Sequence, residues 1–158
     1  MAARAAREPV IENRKARHDF AISDTVEVGM KLLGSEVKSL RDGKASLAEG
    51  YVMASAEPLR LELHRVHIDE YPPAGAARQH APLRTRPLLA HAREIRKLAV
   101  SMKTKGIALV PLKIYFKAGR AKLLVGIGLG RKHGDKRAAI ADREMKRDMD
   151  RAMSRRRG

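Results

Sequence analysis

Hydrophobic and polar residues alternate with a period of two over several separate stretches between Phe20 and Leu129. Val26, Val28, Met30 and Leu32 are interleaved with Glu27, Gly29 and Lys31. Leu59, Leu61 and Leu63 are interleaved with Arg60, Glu62 and His64. Because successive side chains of a strand point to opposite faces, each stretch predicts a strand with one dry and one wet side. Leu112, Ile114 and Phe116 repeat the pattern, and Ala121, Leu123, Val125, Ile127 and Leu129 take it up again after Lys117-Ala-Gly119-Arg120. A glycine in that short connection supplies positive φ, so the two runs predict a β-hairpin.

Helical spacing occurs in fewer places. Ile95, Leu98, Ala99 and Met102 fall at i, i+3, i+4 and i+7, with Arg93, Arg96, Lys97 and Lys103 on the opposite face, and Gly106 is the expected stop signal. Glu36 to Leu47 reads as a short helix followed by a turn. The stretch from Tyr71 to Pro82 is rich in proline and small residues that break both periods, which predicts a loop. Short strands separated by turns, with a helix set among them, predict a mainly β fold, a small antiparallel barrel.

Past Gly130 the pattern collapses. The only large apolar residues from Arg131 to Gly158 are Ile140, Met145, Met149 and Met153, amid eleven Lys and Arg and five Asp and Glu. The three methionines form one thin line along a helix, too narrow to hold it against a core. The expectation is a basic tail, residues 131–158, disordered alone and helical when bound to RNA, where phosphates neutralise its like charges. Residues 1–12 read as a basic disordered arm; a transit peptide is the alternative, weakened by Glu8, Pro9 and Glu12. Residues 13–130 are left as the barrel domain.

Composition narrows the function. The 158 residues hold 34 Lys and Arg against 18 Asp and Glu, a formal net charge of +16, and such a surface attracts polyanions. A hydrophobic content of 44% suffices for a core. The absence of cysteine excludes disulfides and thiolate sites and suits a reducing, cytoplasmic setting. No apolar run approaches the ~20 residues that a bilayer requires, so no membrane partner is expected. Aromatics are few: Phe20, Tyr51, Tyr71, Tyr115 and Phe116, several of them on core-side positions. Base stacking is therefore not the expected source of affinity, which leaves phosphate contacts and the shape of a folded RNA.

Signals for catalysis or metal are weak. His64 and His67 have an H-x-x-H spacing, but on a strand they point to opposite faces. Gly126-x-Gly128-x-Gly130 lacks the ending of a phosphate loop, and reads better as small residues that let a strand bend or an RNA approach. No cofactor, metal or enzymatic activity is expected.

Three blocks carry a resemblance: Asn13-Arg-Lys-Ala-Arg-His-Asp-Phe20, Val26-Glu-Val-Gly29 and Gly34-Ser-Glu-Val-Lys-Ser-Leu-Arg-Asp-Gly-Lys44. With Arg84-Thr-Arg-Pro-Leu-Leu-Ala-His91, Val110-Pro-Leu-Lys-Ile-Tyr-Phe-Lys117 and Asp135-Lys-Arg137 in the same order, the chain from Asn13 onward resembles the SsrA-binding protein family, small protein B. The resemblance implies an OB-fold-like six-stranded antiparallel barrel with accessory helices and a basic C-terminal tail. It further implies a monomer that binds the tRNA-like domain of transfer-messenger RNA and delivers it to stalled ribosomes, for rescue and tagging of the nascent peptide.

Residue by residue, the resemblance implies that Asn13, Glu27, Leu89, Lys122 and Gly130 hold the RNA. The basic residues of the matched blocks, Arg14, Lys15, Lys38, Arg41 and Arg86, join them. Asp135, Lys136 and Arg137 match the tail motif that meets the small-subunit decoding region. Two readings stay open for Glu27: an exposed ion pair with a neighbouring cation, or an acceptor for base or ribose donors. Two stay open for Leu89: packing of the barrel, or RNA contact. The sequence departs from the family at Pro87, where lysine is usual, at Ala81, where an acid is usual, and at Gly134, where a ring is usual and His133 stands one place away. The rival reading is a basic-barrel ribosomal protein or ribosome assembly factor.

Overall fold

The computed structural model describes the backbone of residues 8–131 and 133–156, and the side chains of 8–131 and 143–154. In chain order the elements are β1 (Ile11–Glu12), α1 (Arg14–Asp19), β2 (Phe20–Met30), α2 (Gly34–Arg41), β3 (Ala45–Ser46), β4 (Tyr51–Ala56), β5 (Leu59–His64) and β6 (His67–Ile68). Two 3₁₀ turns, Pro72–Ala74 and Ala76–Arg78, occupy the long loop. Then follow β7 (Arg86–Leu89), α3 (Ala92–Met102), β8 (Ile107–Lys117), β9 (Arg120–Gly130) and α4 (His133–Arg156). Ile11 and Glu12, placed by sequence in the arm, instead pair with Ile114 and Lys113 of β8. Residues 1–7 of that arm lie outside the described residues.

The antiparallel neighbours run β8-β4-β5-β7-β2-β9, and β9 pairs back to β8, which closes a ring of six strands. Closure leaves no open edge in the ring. The hairpin predicted by alternation is there: Ala118 and Gly119 both have positive φ, 50° and 77°, the geometry of a two-residue turn that matches strand twist. Inside the ring sit Val28, Leu61, Leu63, Leu88, Leu109, Ile114, Leu123, Val125 and Ile127. α3 closes one side with Ile95 and Leu98. It ends at Met102 with Lys103 as its cap, and Gly106 serves the next turn instead, at φ 83°.

Two bulges alter the simple alternation. The register slips between Ile22 and Asp24 in β2, and between Pro111 and Lys113 in β8. An extra residue flips every side chain beyond it to the other face. Leu112 therefore does not share the inward face of Ile114. It joins Val110, Ala16, Phe20, Ile22 and Leu124 in a second apolar cluster outside the ring, beneath α1. Proline lacks an N–H and is tolerated at such irregularities. The gap is closed by Asn13, whose backbone N–H donates to Leu112 O at 2.8 Å and whose Nδ2 donates to Pro111 O at 2.9 Å.

Gly126 and Gly128 belong to the same cluster. A Cβ on Gly126 would meet Leu112 Cδ1 at 2.9 Å, and one on Gly128 would meet Phe20 Cβ at 2.9 Å. These glycines make room for the side chains under α1.

Opposite α1, a buried ion pair fixes α2 to β7. Glu36 accepts from Arg86 Nε and, at 2.5 Å, from Arg84 Nη2, and its Oε1 also accepts the Leu33 N–H at 2.9 Å. Arg86 donates further to Val66 O at 2.6 Å and to Pro82 O at 2.9 Å. His80 tacks the long loop down, bonding Ser35 Oγ at 2.8 Å and Ile68 O at 3.0 Å. Burial pushes the Glu36 carboxyl up, yet the two guanidiniums and the Leu33 N–H outweigh it, and the group lies below the usual carboxylate range.

Candidate nucleic-acid interface

Beyond Leu124 the outer face of the ring changes character. The register sets Tyr115 of β8 opposite Lys122 of β9, Lys122 opposite Gly29 of β2, and Gly29 opposite Leu89 of β7. These four positions form one row across four strands, all pointing outward, on the open half of the surface whose other half α1 covers. At roughly 4.8 Å per strand the row spans about 14 Å. Gly29 contributes no side chain, and the missing bulk leaves a depression between Lys122 and Leu89. The groove, about 400 Å³, is lined by Gly29, Met30, Leu89, Arg120 and Lys122, with Val37 of α2 on its flank.

Glu27 stands two residues before Gly29 on the same outward face. It accepts the hydroxyl of Tyr115, and Lys117 Nζ lies 3.6 Å from its other oxygen. The Tyr115 hydrogen bond, with the charges of Lys117 and Lys122, holds the Glu27 carboxyl below its ordinary range, so it is ionised at neutral pH. Burial and the Glu27 carboxylate together raise the Tyr115 hydroxyl to about 12. The result is an acceptor set in a cationic rim beside an apolar floor. Such a surface can receive phosphates on its lysines and arginine, a base or ribose donor on its carboxylate, and an exposed base or sugar edge on Leu89.

The positions expected from sequence are divided among several places. Leu89 is 57% exposed, which excludes it from packing the barrel and sets it on the groove with Lys122. Arg41 lies at the hairpin tip, 5.0 Å above the Phe116 ring and 3.2 Å from Glu8. Lys38 faces the other side of α2, 5.4 Å from the Tyr71 ring, in a separate cleft with Arg78. Arg14 and Lys15 are exposed on α1. Arg14 lines a second basic depression with Arg17, Lys113, Glu12 and Arg143. Gly130 is exposed at the far end of β9, its N–H bonded to Gly106 O at 3.0 Å. Asp135, Lys136 and Arg137 fall within the backbone of α4, and their side chains lie outside the described residues.

Two of the expected RNA-contact residues lie inside the fold of the free chain. Arg86 has no exposed surface, and its guanidinium is spent on Glu36, Val66 and Pro82. Asn13 is 8% exposed and caps α1 by accepting the Ala16 N–H, while its amide stitches β8 to Leu47 O. In the free chain both side chains hold the fold through these bonds, and Asn13 also borders the depression lined by Arg14 and Arg17. The aromatics also differ from expectation. Phe20 and Phe116 pack against apolar clusters, but the three tyrosines lie at the surface. Tyr51 stacks on His64, at 5.1 Å between ring centres.

Sequence reasoning missed Gly29 and Arg120 in the groove, Tyr115 and Lys117 beside it at Glu27, and Arg17, Lys113 and Arg143 in the second depression. A signal existed for three of them: if Ile114 and Phe116 point inward, then Lys113, Tyr115 and Lys117 point out.

Comparison with known proteins gives a consistent result. The SmpB protein family model matches residues 10–155. The SsrA-binding protein of Thermobifida fusca (strain YX) is 49% identical over 148 residues, spanning 94% of this chain and 91% of its own. That of Parasynechococcus marenigrum (strain WH8102) is 47% identical over 151 residues, spanning 96% and 90%. Among solved structures, a chain from "tmRNA-SmpB: a journey to the center of the bacterial ribosome" is 40% identical with a TM-score of 0.66, over 84% of this chain and 94% of that one.

Proposed function

The chain belongs to the SmpB protein family, and from that premise we propose that it binds transfer-messenger RNA and carries it to stalled ribosomes in trans-translation. The observation that supports an RNA-binding mechanism most directly is the outward row Tyr115–Lys122–Gly29–Leu89 with Glu27 beside it. Lys122 and Arg120 take phosphates, Leu89 meets an apolar edge, and Glu27 accepts a hydrogen bond from the RNA. No bond is broken in this work: the protein acts in the cytoplasm as an adaptor, not as an enzyme.

α4 serves the second half of the task. Its described side chains are exposed, among them Arg143, Lys146, Arg147, Arg151 and the methionine stripe of 145, 149 and 153. A helix with so thin an apolar line takes its stability from what it meets. The region around Asp135, Lys136 and Arg137 is its ribosome-facing part, directed to the decoding region of the small subunit.

A competition gel shift at ~150 mM salt tests the reading against the rival of a ribosomal RNA binder. Transfer-messenger RNA outcompetes bulk ribosomal RNA if the reading is right, and the reverse order overturns it. Truncation after Arg131 separates the two halves: RNA affinity is retained and ribosome rescue is lost. Loss of both together would make α4 the RNA-binding element.

A further inference from the structure

We infer that Tyr115 is a positioning residue for RNA recognition, its hydroxyl fixing the Glu27 carboxylate so that the acceptor stands ready at the edge of the groove. The inference rests on the reading of Glu27 as an RNA contact. Its geometry is particular. Tyr115 is on β8 and Glu27 on β2, with β9 between them, so the two backbones are two strand spacings apart, roughly 10 Å. Tyrosine and glutamate reach toward each other over β9 and span that distance between them, and the polar atom at the tyrosine's tip makes the bond.

The hydroxyl donates to Oε2, and Oε1 faces Lys117 Nζ at 3.6 Å. Each carboxylate oxygen has two acceptor sites, so the engaged group keeps capacity for an RNA donor. The groups that face Glu27 are Tyr115 and Lys117 from β8 and Lys122 from β9. Lys113 Nζ lies over the Tyr115 ring, 5.4 Å from its centre, and steadies it. A free glutamate on an exposed strand samples several rotamers, and an acceptor already held loses less freedom on binding. Because the tyrosine hydroxyl is raised to about 12, it remains a donor wherever the fold and the RNA are intact.

A double-mutant cycle tests this with the full chain and transfer-messenger RNA, using Tyr115→Phe, Glu27→Ala and their combination. Tyr115→Phe is expected to weaken binding about three- to tenfold in the parent and to have no effect in the Glu27→Ala background. In the free protein, the ¹³C signal of the Glu27 carboxyl should titrate at higher pH in Tyr115→Phe than in the parent, because a bond favouring the charged form has been removed. An equal loss in both backgrounds, or full affinity of Tyr115→Phe with an unmoved titration, overturns the inference. Unchanged affinity of Glu27→Ala instead overturns the underlying reading of Glu27 as a contact. Thermal melts of each variant identify any loss that comes from unfolding.

Discussion

Single residues separate into those that hold the fold and those that face a partner, and burial draws the line. Leu89 is a large apolar side chain left in water, so truncation there costs little stability. Leu89→Ala should change unfolding free energy by less than about 0.5 kcal/mol while weakening RNA binding several-fold, measured by urea melts and filter binding on one preparation. Asn13 is the opposite case. Asn13→Ala removes the cap of α1 and strands the carbonyls of Pro111 and Leu47, for a loss of about 2 kcal/mol in the same melts. Any fall in its RNA affinity should follow the unfolded fraction. A short motif aligned to a family cannot make this distinction, because an asparagine kept for a strand irregularity and one kept for a ligand look the same in sequence. That is why Asn13 and Arg86 were expected outside and are found inside.

At the scale of elements, periodicity made much of the fold readable. The hairpin of β8 and β9, the inward positions Leu123, Val125 and Ile127, and α3 with Ile95, Leu98 and Ala99 all follow from spacing alone. The bulges in β2 and β8 did not, since an added residue is invisible to a period of two, and Leu112 was assigned to the wrong face as a result. Nor was the ion pair between α2 and β7 visible, as its partners are fifty residues apart. Removing one partner of a buried pair is costly, and Glu36→Gln should destabilise the protein by about 3–5 kcal/mol at pH 7. The sign of its pH dependence follows from a folded carboxyl held below its unfolded value. The stabilisation is complete above the unfolded pKa, roughly 4.3, and is lost as pH falls through the lower folded one. Acid unfolding curves should thus converge: the parent loses its advantage over Glu36→Gln as the pH drops below about 5.

For the whole molecule, charge and shape work together. A net charge of +16 makes association steeply dependent on salt, and each phosphate neutralised contributes about 0.7–0.9 to the slope of log K against log salt. Lys122→Ala should make that slope shallower by about this amount, whereas Glu27→Ala should weaken binding without making it shallower, as titrations between roughly 50 and 200 mM salt will resolve. The matched slips in β2 and β8 have a consequence for how such a protein can change over time. They divide one continuous sheet surface into a half that the chain roofs over itself and a half left open, with Leu124 as the seam. Substitutions at 27, 89, 115 and 122 can accumulate while the scaffold endures. Substitutions at 20, 22, 110 and 112 are answerable to the scaffold first, so adaptation is channelled to one side of the seam.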